Sequence, residues 1–172
     1  HNDKPVEERI YGKDSFLRPN MIQFINCTNI LIEGTTFRNA PKWFLNPIYS
    51  SNVTIRKVKL IGHLHNNDGI DISSSKYVLI TDSLLDNGDD CVCIKSGRNR
   101  DGRRINLPSE YIVIQDCTML DGHGGIVIGS EISGGANHIY GENCNMSSPH
   151  LKRALRFKAN TDRGGVVEHI YI

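Results

Sequence analysis

Six short apolar triplets punctuate an otherwise polar chain: Ile30-Leu31-Ile32, Val53-Thr54-Ile55, Val78-Leu79-Ile80, Ile112-Val113-Ile114, Ile139-Tyr140-Gly141 and Ile170-Tyr171-Ile172. Side chains alternate between faces along a strand, so the first and third residues of each triplet share one face and the triplets read as small strands. Five residues beyond the third position of the first five triplets stand Phe37, Leu60, Leu85, Met119 and Met146, a second apolar column in step with the first. A further strand is predicted at Ile70-Asp71-Ile72, Val92-Cys93-Ile94, Ile126-Val127-Ile128 and Leu155-Arg156-Phe157.

Successive members of the first set begin 23 to 34 residues apart, with connections rich in Asn, Ser, Asp and Gly and almost without helical periodicity. A unit of that length cannot close a core of its own, so the units must stack. Three- to five-residue strands recurring coil after coil predict an all-β chain folded as a right-handed parallel β-helix, one domain over residues 1–172. A βαβ sheet is disfavoured because no crossover helix is visible. Cys117 and Cys144 each lie three residues past a strand, in the position held by Thr35, Val58 and Ser83 in earlier coils, which predicts an interior ladder and not a redox site.

Composition adds limits. The 172 residues suffice for a substantial core, and the 38% hydrophobic and 23% charged content is ordinary for a globular protein. Twenty Lys+Arg against nineteen Asp+Glu give a net charge of +1, so overall charge predicts neither a nucleic-acid nor a membrane partner, and no apolar run is long enough to span a bilayer. The five cysteines lack metal-knuckle spacing, and no metal or other cofactor is expected. His1 opens the chain without Met or a signal-like segment, which reads as a processed or excised piece.

Candidate chemistry lies in the turns. Asp68 stands 21 or 22 residues before Asp89 and Asp90, about one coil, so stacking brings the three acids to one face. His123, between Gly122 and Gly124, falls one coil on, and Arg156 and Lys158, alternating with Leu155 and Phe157, one coil further. Three carboxylates together repel, so at least one is expected to hold its proton while another stays ionised, the pair that glycosidic-bond hydrolysis needs. A separation of about 6.5–9.5 Å between acid and base would fit inversion and about 5–5.5 Å retention. The two cations suit a substrate that is itself a carboxylate. The basic run Arg98, Arg100, Arg103 and Arg104 reads equally as a solvated insertion or an anionic-sugar subsite, Glu131 as a possible border of the site, and Asp71 and Trp43 as structural residues.

Asn66-Asn67-Asp68-Gly69, Gly88-Asp89-Asp90, Gly122-His123-Gly124 and Arg156-Phe157-Lys158, in this order, resemble the four signature motifs of the polygalacturonase family, glycoside hydrolase family twenty-eight. The resemblance covers nearly the whole chain. It departs at Asn67, where many members have Thr, and at Phe157, where many have Ile, and the Ser96–Arg104 insertion is closer to bacterial, often exo-acting, members. It implies a parallel β-helix that hydrolyses polygalacturonate with inversion, Asp89 as general acid, Asp68 and Asp90 holding and deprotonating water, and His123 supporting the acid. Arg156 and Lys158, with Asn66, would bind substrate. A pectic polysaccharide or oligogalacturonide is the implied partner, and a secreted or periplasmic monomer the implied setting. Alternatives are a rhamnogalacturonan or xylogalacturonan hydrolase, a pectate lyase, or a catalytically silent polysaccharide-binding β-helix. Family members are about twice this length, so coils and a tyrosine after the last motif are expected to be missing.

Overall fold

The computed structural model describes residues 5–8 and 18–172, so His1 lies outside the described residues. The chain winds as a parallel coil with up to three strands per turn. The first turn holds β1 (Ile22–Ile25), β2 (Thr28–Glu33) and β3 (Thr36–Arg38), and the second β4 (Leu45–Ile48), β5 (Ser51–Arg56) and β6 (Lys59–Gly62). The third holds β7 (Ile70–Ser73), β8 (Lys76–Thr81) and β9 (Leu84–Asn87). The fourth is β10 (Val92–Lys95), the short helix α1 (Asn99–Ile105), β11 (Ser109–Gln115) and β12 (Thr118–Gly122). β13 (Ile126–Gly129), β14 (Ala136–Glu142) and β15 (His150–Leu151) make the fifth, and β16 (Leu155–Lys158) and β17 (Val167–Tyr171) follow.

Each strand pairs with its equivalents one turn before and after, giving three parallel sheets ordered β1-β4-β7-β10-β13-β16, β2-β5-β8-β11-β14-β17 and β3-β6-β9-β12-β15. This is the right-handed parallel β-helix expected. The apolar triplets set the register of the second sheet, where Ile30, Val53, Val78, Ile112, Ile139 and Ile170 pair in sequence. Phe37, Leu60, Leu85 and Met119 do the same in the third, and the buried members of both columns form one continuous core. Three strands escaped the sequence pattern, β1, β4 and β15. Leu45-Asn46-Pro47-Ile48 carries a proline and a buried asparagine where a triplet was sought, features that argue against a strand when read alone.

The corners explain the asparagine content. Asn29, Asn52, Tyr77, Tyr111, His138 and His169 all have φ between 53° and 60°, at one position of successive turns just before the inward residue. Asn tolerates this left-handed conformation best, and where Tyr or His takes the place the rings stack on one another, Tyr77 on Tyr111 at 5.2 Å and Tyr111 on His138 at 4.9 Å. The cysteine ladder is interior in its middle turns, where Val58, Ser83 and Cys117 are buried, while Cys144 is half-buried and Thr35 exposed; the Asn145 amide donates to the Cys117 carbonyl at 2.8 Å, repeating Leu84 to Val58 and Thr118 to Ser83. The Arg-rich insertion contains the seven-residue helix α1, with Arg103 Nη1 donating to the carbonyls of Asp162 and Arg163 at 2.8 and 3.1 Å. Seven residues with a glycine among them carry too little periodicity to announce a helix.

Candidate active site

The predicted site residues converge on the turns that lead from the third sheet into the first. Asp68 precedes β7, Asp89 and Asp90 precede β10, His123 precedes β13, and Arg156 and Lys158 stand on β16. Backbone bonds hold these turns one above another: the Gly69 amide donates to the Asp90 carbonyl at 2.9 Å, His123 to Asp89 at 3.1 Å and Cys91 to Gly124 at 2.8 Å. The motif glycines allow that closeness. A Cβ on Gly69 would lie 2.5 Å from the Cys91 carbonyl oxygen, and one on Gly122, at φ +148°, 2.5 Å from that of Asp89.

One oxygen from each of Asp68, Asp89 and Asp90 lies within 4.8 Å of the others. The ranges that separate inversion from retention are measured between whole carboxyl groups, a different quantity from this closest-oxygen spacing. His123 Nδ1 is 2.9 Å from Asp89 Oδ1. Lys158 Nζ forms a short ion pair with Asp90 Oδ2, so its charge is engaged inside the cluster and is not free as expected. Asp90 and Asp68 are buried, whereas Asp89 keeps 14% of its side chain accessible. Arg156 is half-buried beside Val127 and has no hydrogen-bond or ion-pair partner among the described residues. Asn66 Oδ1 accepts from Arg18 Nη2 at 2.7 Å and has no bond to the acids among the described residues.

Behind the trio lies a layer that sequence reasoning passed over. Asp71, fully buried on β7, faces Lys95 Nζ at the end of β10 at 3.2 Å, and Lys95 lies 4.9 Å from the centre of the Trp43 ring. The register that pairs Ser73 with Lys95 sets the two strands side by side. The signal available was the Lys closing the apolar run Val92-Cys93-Ile94, opposite an Asp inside Ile70-Asp71-Ile72. Asn67, also unexpected, donates through Nδ2 to the carbonyls of Ala40 and Lys42 at 2.7 Å each, fixing the segment that carries Trp43. Glu131 accepts from the Ser96 amide through its carbonyl at 2.6 Å, and its charge acts on both Asp71 and Lys95.

Charge pairing explains the proton. Asp89 has the His123 ring nitrogen, Asp90 has Lys158 and Asp71 has Lys95, which leaves Asp68 as the acid of this group with no Lys, Arg or His nitrogen within 4.0 Å among the described residues. Burial, reinforced by Asp71, Asp89 and Asp90 and opposed by Lys95, pushes Asp68 up to about 9. Burial also lifts Asp71, to about 7, while Lys95 holds it back. For Lys95 itself burial disfavours the charge, but the surrounding anions prevail and raise it. The acid expected to keep its proton is therefore Asp68. Outside this group, His63 Nε2 lies 3.0 Å from Asp86 Oδ1 and 3.5 Å from Asp121 Oδ2, a trio spaced closely enough to hold a cation.

The chain resembles known proteins over nearly its whole length. The chain is 31% identical to a probable polygalacturonase of Vitis vinifera over 94% of its length and 33% of the relative's. It is 27% identical to a probable endo-xylogalacturonan hydrolase A of Aspergillus fumigatus over 75% of its length and 30% of the relative's. The crystal structure of a hyperthermoactive exopolygalacturonase from Thermotoga maritima superposes with a TM-score of 0.92 at 47% identity, covering 98% of this chain and 38% of that one. The chain thus spans about a third of the length of the relatives it matches. With residues 9–171 matching the glycosyl hydrolases family 28, the chain belongs to that family.

Proposed function

We propose that this chain carries the catalytic face of a secreted, exo-acting polygalacturonase, which hydrolyses α-1,4-galacturonosidic bonds of pectic polymers with inversion and without a metal. The carrying observation is the acid trio with its basic partners: Asp68, Asp89 and Asp90 within 4.8 Å, His123 on Asp89 and Lys158 on Asp90. Asp89, the accessible member, is the general acid: it passes to the glycosidic oxygen, as the bond to the anomeric carbon breaks, a proton supplied through His123 Nδ1 at 2.9 Å. A water attacks that carbon from the opposite face and gives its proton to Asp90, while neutral Asp68 donates a hydrogen bond that orients the water. Arg156, unengaged among the described residues, grips the carboxylate of the galacturonosyl unit, and Lys158 extends the positive field from Asp90 toward it. Exo action is favoured by the 47% identity with the Thermotoga maritima exopolygalacturonase, and substrate variation within the family by the Aspergillus fumigatus relative.

The test is hydrolysis by the full-length protein of polygalacturonate, xylogalacturonan and rhamnogalacturonan, read as reducing ends and product size in the presence of a chelator. Release of mono- or digalacturonate from polygalacturonate alone is expected. An ultraviolet-absorbing unsaturated product would establish a lyase, and binding without product a silent lectin-like role. Proton NMR of the first-formed product gives the stereochemistry: the opposite anomer supports the water-attack scheme, and the same anomer replaces it with a covalent intermediate.

A further inference from the structure

The buried layer behind the trio has no role in the scheme above, yet it contains a lysine only 6% exposed and an aspartate with no exposure at all. Ion pairs this deep cost more in desolvation than their attraction returns unless the geometry is very good, and neither oxygen of Asp71 has a hydrogen-bond partner in good geometry. A lysine in that position has two acids to choose between. Asp71 Oδ1 is 3.2 Å away, and Asp68, which offers an oxygen within 4.8 Å of one from Asp71, is the carboxylate acting on Lys95 most strongly after it. Trp43, anchored through Asn67, closes over the ammonium, and the cation sits near the ring face instead of water.

Resting on the hydrolase reading, we propose that Asp71 and Lys95 are a positioning pair for the reaction: Asp71 retains the ammonium and withholds it from Asp68, which therefore keeps the hydrogen it points at the water. The groups acting on Asp68 are Asp71 on β7, Lys95 on β10, and Asp89 and Asp90 in the turn before β10. Those acting on Lys95 are Cys93, Asp71, Asp68 and Glu131, and on Asp71 they are Lys95, Asp90 and Glu131. Cys93 is buried and its thiol is raised, so it stays neutral and does not compete. Removing Asp71 alone leaves Asp68 as the carboxylate acting most strongly on Lys95, and an ammonium that turns to within about 4–6 Å of a carboxyl lowers it by 1–3 pH units.

The test is a carbon-13 titration of the aspartate carboxyls, with Asp68 assigned from the Asp68→Asn spectrum, in the wild type, Asp71→Asn and Asp71→Asn with Lys95→Met. In Asp71→Asn the Asp68 midpoint is expected to fall by at least one pH unit, about tenfold in proton affinity, and adding Lys95→Met restores at least half of that shift. The matching limb of the kcat/KM profile on oligogalacturonate moves with it. An Asp68 midpoint that stays put in Asp71→Asn, or is not restored by removing Lys95, overturns the proposal. If Asp71→Asn does not fold, Lys95→Met decides alone, because Asp71 without its cation rises by at least one unit, and an unchanged Asp71 refutes the pairing. The titration does not depend on turnover. An inactive wild type with the expected shifts removes the hydrolase reading and leaves the pairing standing, whereas an active wild type without the shifts does the reverse.

Discussion

Replacing Asp68 by Asn is expected to stabilise the protein while disabling it. In the folded chain Asp68 binds its proton up to about pH 9, whereas an unfolded aspartate releases it near 3.8. Between those values the native state holds more protons than the unfolded one, so stability falls as pH rises. Each pH unit in that window costs about 1.4 kcal/mol, or about 4 kcal/mol by pH 7 if Asp68 titrated alone. Asp71, Asp89 and Asp90 share the same field and readjust, which brings the expected gain from Asp68→Asn to about 2 kcal/mol at pH 7. Asn keeps the shape of the neutral acid, so little packing is lost. Urea unfolding at pH 4.5 and 8, followed by circular dichroism, measures it: the advantage should be under about 1 kcal/mol at pH 4.5 and grow by pH 8. A variant less stable than wild type at pH 8, or equally favoured at both pH values, refutes the placement of the proton on Asp68.

Other consequences are as direct. Lys158→Met leaves the fully buried Asp90 without its cation and should cost about 3 kcal/mol in urea unfolding at pH 7. His123→Ala, at a side chain 36% exposed, should cost under about 0.5 kcal/mol of stability yet lower kcat at least tenfold, measured by reducing-end release. Gly69→Ala forces a methyl against the Cys91 carbonyl oxygen and should destabilise by about 1–3 kcal/mol in thermal melts.

The coil was legible because its signal is a repeat. An inward residue such as Val78 must match Val53 and Ile112 on either side, so the same apolar spacing returns each turn and betrays the register. The acids were legible for the same reason: Asp68 and Asp90 differ by about one coil, and stacking does the rest. What spacing could not convey was which charge meets which. Lys158 alternates with Phe157 as a substrate-binding residue should, yet whether its ammonium faces outward or turns to Asp90 depends on side-chain conformation. Asp71 sat in an apolar triplet and looked like strand filler, since its partner Lys95 lies 24 positions on in the next coil and long-range pairs leave no local periodicity. That unseen pair also shifts the emphasis among the acids. By resemblance Asp89 was expected to be the protonated acid, while the pairing of charges leaves the resting proton on Asp68.

The claim that the trio in these turns breaks a glycosidic bond is tested most directly by Asp89→Asn in the full-length protein, assayed on polygalacturonate beside the wild type at matched thermal stability. Losing the accessible proton donor should lower kcat by about 10²–10⁴ while oligogalacturonate still binds. Turnover within a few-fold of wild type would contradict the account.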